Sequence, residues 1–265
     1  MSSESESMQG EGAGPRDLVG SLAKGLGVVE ILARAPSGLR LTEVAEEAGL
    51  TRAGARRLLL TLVAEGYARQ EGRTFLLSAK LLSLNRAWLG GSSLWAHAEP
   101  ILREVSQTLG ESCSAAILDG QDVVYVARVA GRRIMSVSLS VGTRLPAYCT
   151  SMGRVLLSDL DDAELTRFLD QAPIRANTPK TVTDRQALAA SIAEVRRAGY
   201  AIVDEELELG LRSIAVPVHA RGGRIVAAIN VPTQSARVSA SKMRSLMLPA
   251  LRQAAAKLED FLVLN

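Results

Sequence analysis

Apolar residues return along this chain in two rhythms. Up to about residue 62 they recur every third and fourth position, the spacing of helices with one buried stripe. Leu22, Leu26, Val29 and Leu32 mark a first helix, closed by Pro36-Ser37-Gly38. A second starts at Thr42, a good N-cap, with Glu43 in the first turn, where the helix dipole favours negative charge. Val44, Ala45 and Ala48 lie on one side of it, and Gly49 ends it in a sharp turn. Leu50 points back toward the core, and Thr51 caps a third helix whose inner stripe is Ala55, Leu58, Leu59 and Leu62. The rhythm then becomes alternation: Tyr67 to Gln70 and Thr74 to Leu77 read as strands around a Glu71-Gly72-Arg73 turn. Three helices and a hairpin predict a winged helix-turn-helix over residues 17–77.

From Ser78 to about Leu94 the pattern is helical again, and residues 78–95 are expected to link two domains. Leu81, Leu82, Leu84 and Leu89 mix there with Trp88 and Trp95, which would pack either on a neighbouring domain or on a second subunit. Over residues 96–265 short strands alternate with helices. Cys113 to Leu118 and Asp122 to Arg128 form a hairpin through Asp119-Gly120-Gln121, and Ile134 to Leu139 reads as a further strand. So do Tyr200 to Asp204, Ser213 to His219 and Arg224 to Val231, the last two joined by Ala220-Arg-Gly-Gly223. Asp161 to Glu164 and Thr183 to Gln186 are capping-box patterns that open helices, and Ser239 to Leu262 is a final amphipathic helix. The expected class is α+β, with a mostly antiparallel sheet in the distal domain, flanked by helices on one side.

Chemistry enters with the third helix. Its outer face and N-terminal end carry Arg52, Ala53, Gly54, Arg56 and Arg57. Arginine grips guanine in a bidentate manner or anchors phosphate, and Ala53 and Gly54 let the helix approach base edges. Arg73 at the hairpin tip would reach phosphates or the minor groove. A plain helical hairpin with a solvated basic face has the same spacing; the hairpin that follows favours a double-stranded DNA partner. The candidate DNA-binding set is Thr42, Thr51, Arg52, Ala53, Gly54, Arg56, Arg57 and Arg73.

Composition adds limits. Net charge is only +3 over 265 residues, so the clustering of basic groups counts for more than their total. Residues 1–16, rich in Ser, Glu and Gly, read as a disordered tail. Without a secretory signal or an apolar run long enough to span a bilayer, Cys113 and Cys149 are expected to be reduced and partly buried in the cytoplasm, with no membrane partner. No nucleotide fingerprint, phosphate loop or zinc-spaced cysteine pair occurs, so no cofactor, metal or enzymatic role is expected. His97 and His219 lack partners at ligand spacing and read as surface or packing residues. Asp204-Glu205-Glu206 with Glu208 reads as a solvated acidic edge before a cation site. Ser151-Met-Gly-Arg154 echoes a serine nucleophile followed by a base, a role arginine cannot fill.

The winged segment, the run from Val141 to Leu157, the run from Gly199 to Val218 and Ala227 to Val231 resemble, in order, the IclR family of bacterial transcriptional regulators. Leu50 to Arg57, Glu111 to Ser114, Tyr125 to Val129 and Arg132 to Met135 resemble its PcaR, PcaU and PobR branch, which controls protocatechuate, 4-hydroxybenzoate and β-ketoadipate catabolism. The resemblance implies a GAF/profilin-like effector domain whose pocket falls on Val137, Leu145, Ser151, Met152, Val203, Leu211, Ser213, Asn230 and Pro232. Apolar walls with a few hydroxyl and amide groups suit a small organic acid, and backbone N–H groups near Ser151 and Met152 are expected to hold its carboxylate. Family members that bind two- or three-carbon acids have Asp in place of Val203, Cys in place of Ser213 and Gly-Ala in place of Ser151-Met152. A larger or aromatic acid is therefore expected: protocatechuate, 4-hydroxybenzoate or β-ketoadipate. The implied assembly is a dimer or tetramer on a roughly palindromic operator, with activation and repression both open.

Overall fold

The computed structural model of the chain describes residues 18–84, 93–131 and 139–264. It divides into two compact units, Met1–Trp88 and Leu89–Asn265.

In the first unit, helices α1 (Gly20–Ala33), α2 (Leu41–Glu47) and α3 (Arg52–Ala64) precede strands β2 (Ala68–Glu71) and β3 (Thr74–Leu77). A two-residue strand β1 (Leu39–Arg40), unforeseen from the sequence, pairs with β3 and makes the hairpin a three-stranded sheet. The turn between β2 and β3 is Gly72-Arg73, with Gly72 at φ +59°, which glycine adopts at no steric cost. Val28, Leu32, Val44, Leu59, Ala68 and Phe75 form the core. Two expectations need correction. Leu22 and Leu26 are 62% and 56% exposed, because α1 turns Val28, Ile31 and Leu32 inward instead. Thr42 is not the cap of α2: the helix begins one residue earlier, and the Arg40 N–H donates to Glu43 Oε2 at 2.7 Å.

In the second unit, strands β4 (Cys113–Asp119), β5 (Asp122–Val129), β6 (Arg144–Pro146), β7 (Ala201–Asp204), β8 (Leu211–His219) and β9 (Ile225–Gln234) form one antiparallel sheet in the order β6-β5-β4-β9-β8-β7. Helices cover both faces, not one. α4 (Ser93–Leu109) and the C-terminal helix α8 (Leu248–Leu264) pack with Ala115, Ile214 and Ile229 on one face. On the other, α5 (Ser151–Leu157), α6 (Asp162–Gln171) and α7 (Arg185–Ala198) pack with Ala116, Ala215 and Ala228. β9 shows this directly: Ala227 to Thr233 are all buried, where a sheet with one wet face would alternate.

Local chemistry explains most boundaries. α6 carries the expected capping box, with Glu164 N–H on Asp161 Oδ1 at 2.7 Å and Asp161 N–H on Glu164 Oε2 at 3.0 Å. α7 is capped one residue later than expected, by Asp184, which accepts from Ala187 N–H at 2.8 Å. The final helix is not continuous from Ser239: a π-turn, Met243–Met247, precedes α8. Pro249 lacks an N–H and its ring crowds the carbonyl four residues back, and the wider turn relieves both. The expected strand from Ile134 lies outside the described residues except for Leu139, which is not in a strand. The expected linker over 78–95 is helical at 80–84, residues 85–92 lie outside the described residues, and 93–95 are the first turn of α4.

Candidate functional site: a basic helix face and a small hollow

The basic face is set by the caps and stripe of α3. Thr51 Oγ1 accepts from Gly54 N–H at 3.1 Å and closes the first turn. A Cβ on Gly54 would lie 3.1 Å from that same oxygen, so the tight cap favours a residue without one. Ala55 and Leu59 are fully buried, which turns Arg52, Ala53, Arg56 and Arg57 to solvent. Arg73 and Thr42 are exposed as well. Among the described residues, no ion pair engages Arg52, Arg56, Arg57 or Arg73, whereas Arg69 in the same hairpin pairs with Glu71.

In the second unit, a small hollow with about 40 Å³ of free volume, open at its mouth, lies on the sheet face covered by α5. β6 contributes Leu145, α5 Ser151 and Met152, β7 Val203, β8 Leu211 and Ser213, and β9 Asn230 and Pro232. Val137 lies outside the described residues. Ser213 donates its hydroxyl to Ser151 Oγ at 2.8 Å. Among the described residues, Asn230 Oδ1 is buried with no hydrogen-bond partner.

The start of α5 is held in place by two features. Thr150 caps the helix, accepting from Gly153 N–H at 3.2 Å. Gly153 rides directly on the 3₁₀ turn Ala147–Cys149, where an added Cβ would fall 2.0 Å from the Ala147 carbonyl oxygen. No other residue type permits this approach, and it sets Ser151 and Met152 against the sheet.

Several lining residues escaped sequence reasoning: Tyr125, Cys149, Thr150, Glu206 and Leu207. Glu206 matters most. The run from Asp204 is not a solvated edge, since Glu206 is only 5% exposed. Arg154 Nη2 donates to Glu206 Oε2 at 2.7 Å, while Arg154 Nε reaches the Tyr148 carbonyl and Nη1 reaches Ser191 Oγ. The Val182 N–H adds a bond to Glu206 Oε2 at 3.2 Å. Burial raises the Glu206 carboxyl above its usual range, opposed by the neighbouring guanidinium. Asp204 pairs with Arg212, and Glu205 with Lys180, so each acid has its own cation. Among the described residues no His, Cys, Asp or Glu cluster could hold a metal ion.

The remaining chemistry-bearing groups are quiet. His97 stacks on Phe261 at 3.9 Å, and His219 Nδ1 lies 2.7 Å from Glu259 Oε1. Burial pushes the Cys113 thiol to about 12. Cys149 also rises to about 12, from burial and then from the Glu206 carboxylate. No described helix is long and apolar enough to cross a membrane.

This geometry has known counterparts. Residues 21–72 match the family model for the IclR helix-turn-helix domain, and residues 87–260 match that for the bacterial transcriptional regulator IclR C-terminal domain. The Pca regulon regulatory protein of Pseudomonas putida is 43% identical over 239 residues, 90% of this chain and 82% of its own. A solved structure from Rhodococcus sp. RHA1 superposes with a TM-score of 0.82 at 45% identity, covering 93% of this chain and 99% of that one. The inducer-binding domain of PobR from Acinetobacter, a double mutant solved with 3-hydroxybenzoic acid, matches at 34% identity and a TM-score of 0.58, over 62% of this chain and 96% of its own. The chain belongs to the IclR family of bacterial transcriptional regulators.

Proposed function

We propose that this regulator controls genes for the breakdown of an aromatic acid and that an acid of that pathway, protocatechuate, 4-hydroxybenzoate or β-ketoadipate, occupies the hollow beneath α5. Residues 17–77 read DNA, residues 78–95 link, and residues 96–265 sense. The observation that carries the reading is that eight side chains from five separate elements, chosen from sequence as effector contacts, line one cavity. Leu145, Met152, Leu211 and Pro232 supply apolar wall, and the Ser151 and Ser213 hydroxyls with the Asn230 amide supply hydrogen bonds for oxygen atoms. The names of the relatives point the same way, one being a Pca regulon regulator and another a domain solved with a hydroxybenzoic acid.

On the DNA side, Arg52, Arg56 and Arg57 present free guanidiniums to the major groove and Arg73 follows the adjacent backbone. A roughly palindromic operator needs two such units. Leu18, Val19, Leu22 and Leu26 leave an apolar surface at the start of the chain's first helix for a second copy. The acid switches DNA binding only by binding the two subunit arrangements unequally. The protein acts in the cytoplasm, on DNA, and turns over no substrate.

The test is a thermal-shift titration of the full chain with benzoate, 4-hydroxybenzoate, protocatechuate, β-ketoadipate, pyruvate and glyoxylate, paired with operator-binding assays. Stabilisation by the aromatic acids or β-ketoadipate, and a matching change in operator affinity, supports the reading. Stabilisation by glyoxylate or pyruvate alone overturns it.

A further inference from the structure

β5 contains a bulge. Ala115 on β4 pairs with Ala127, but its neighbour Ala116 pairs with Tyr125, so Val126 is the extra residue. Tyr125 and Arg128 are three positions apart, and a regular strand would send them to opposite faces. The bulge brings both to the sheet face that carries the hollow, where Tyr125 lines it and Arg128 lies outside the lining residues, while Val126, Ala127 and Val129 pack into the core on the other side.

Arg128 and Asn230 are both in register with Ser114, one from each neighbouring strand. Directly opposed residues share a sheet face. Arg128 Nη1 donates to the Oγ of the buried Ser114 at 3.2 Å. The guanidinium thus lies over β4, about one strand spacing, ~4.8 Å, from the strand that carries Asn230. Among the described residues no carboxylate pairs with Arg128. Nor does any group bond the hydroxyl of Tyr125, which lines the hollow at 4% exposure. Buried amide oxygens normally have partners, and among the described residues the Asn230 Oδ1 lacks one. Toward an acid, the donors on this side are the Tyr125 O–H and the Asn230 amide N–H groups, beside a guanidinium with no carboxylate partner among the described residues.

The serine side of the hollow has the opposite character. Ser151 and Ser213 already bond each other, and the Glu206 carboxylate, held by Arg154 on the same helix as Ser151, lines the wall. A ligand carboxylate placed there finds no free cation, since the Arg154 guanidinium is already committed to Glu206.

We propose that Arg128, with the Tyr125 O–H and the Asn230 amide N–H groups as neutral donors, anchors the carboxylate of the effector at the β5 side of the hollow. The serine side then takes the ring hydroxyl. This orientation reverses the one expected from the free N–H groups of Ser151 and Met152, and it rests on the reading of the hollow as an acid site. The bond from guanidinium to carboxylate is charge-assisted and suits the planar fork of arginine.

The test is calorimetric titration of the full-length protein, and of its Arg128→Gln, Arg128→Lys and Tyr125→Phe variants, with 4-hydroxybenzoate and its neutral analogue 4-hydroxybenzamide. Arg128→Gln is expected to weaken the acid about 10- to 100-fold while leaving the amide within about twofold, and Arg128→Lys to fall between. Tyr125→Phe is expected to weaken the acid more than the amide. Equal losses for acid and amide in Arg128→Gln would make Arg128 a merely structural residue and overturn the proposal, as would unchanged acid affinity. A wild-type protein that binds neither probe, nor protocatechuate, overturns the acid-site reading itself, a failure distinct from a tolerant Arg128 variant.

Discussion

Ser213 and Ser151, 62 residues apart in sequence, join their hydroxyls at 2.8 Å and tie strand β8 to the first turn of helix α5. The bond lies at the wall of the hollow, so an entering oxygen atom competes for both groups. An effector bound as proposed would be felt at once by the sheet and by the helix that covers it.

Met152 is the neighbour to use as a plug. Its side chain is 1% exposed and lines the hollow. Met152→Trp should fill the space and abolish the thermal shift produced by the effector, with overpacking costing about 1–3 kcal/mol. Operator binding without effector should stay close to wild type. A normal effector response in this variant would show that the acid binds elsewhere.

On the DNA side, Arg56 is solvent-exposed on α3, opposite the fully buried Ala55 and Leu59 stripe. Arg56→Ala should cost about 1–3 kcal/mol of specific operator binding, if its guanidinium reads a base edge, and should change non-specific binding little. Fluorescence anisotropy with operator and scrambled duplexes separates the two. Equal affinity for operator in variant and wild type would remove Arg56 from the reading surface.

The buried pair of Arg154 and Glu206 predicts an asymmetry. Both side chains are nearly inaccessible. Arg154→Met leaves a buried carboxylate without its cation and should cost about 3–5 kcal/mol in denaturant unfolding. Replacing both, Arg154→Met with Glu206→Leu, should recover most of that loss. If the double variant is as unstable as the single one, charge burial is not what the pair is managing.

Glu205 offers a pH test. The Lys180 ammonium, the Ser235 hydroxyl and the Gly210 N–H hold its carboxyl at about 2, well below its ordinary 4.5. A depressed carboxyl stabilises the fold above the unfolded value, and that contribution is lost as pH falls through the folded one. Glu205→Gln should therefore lower the melting temperature at neutral pH. The gap to wild type should hold down to about pH 4.5 and close between there and about pH 2. A gap that persists at pH 2 would assign the loss to geometry instead of charge.

Some of this was legible in the chain before any coordinates. Thr51 and Gly54, Asp161 and Glu164, and the glycines at 72 and 120 act over four residues or fewer, and each does in the structure what its local chemistry dictates. The stripe Ala55, Leu58, Leu59 and Leu62 faces inward because a helix presents every third and fourth residue to one side. Periodicity alone misplaced Leu22 and Leu26, since a helix with apolar residues on more than one side buries whichever face its neighbours cover.

The sequence by itself determined the local units: three helices and a hairpin with arginines outward, hairpin-linked strands, and the family to which these patterns belong. Only the tertiary structure decided which groups share an environment. Glu206 became a buried partner of Arg154, 52 positions away, and a single extra residue in β5 turned Arg128 to the side of Asn230. Caps and turns are decided by bonds a few residues long, whereas burial and charge pairing depend on surfaces that distant segments bring together.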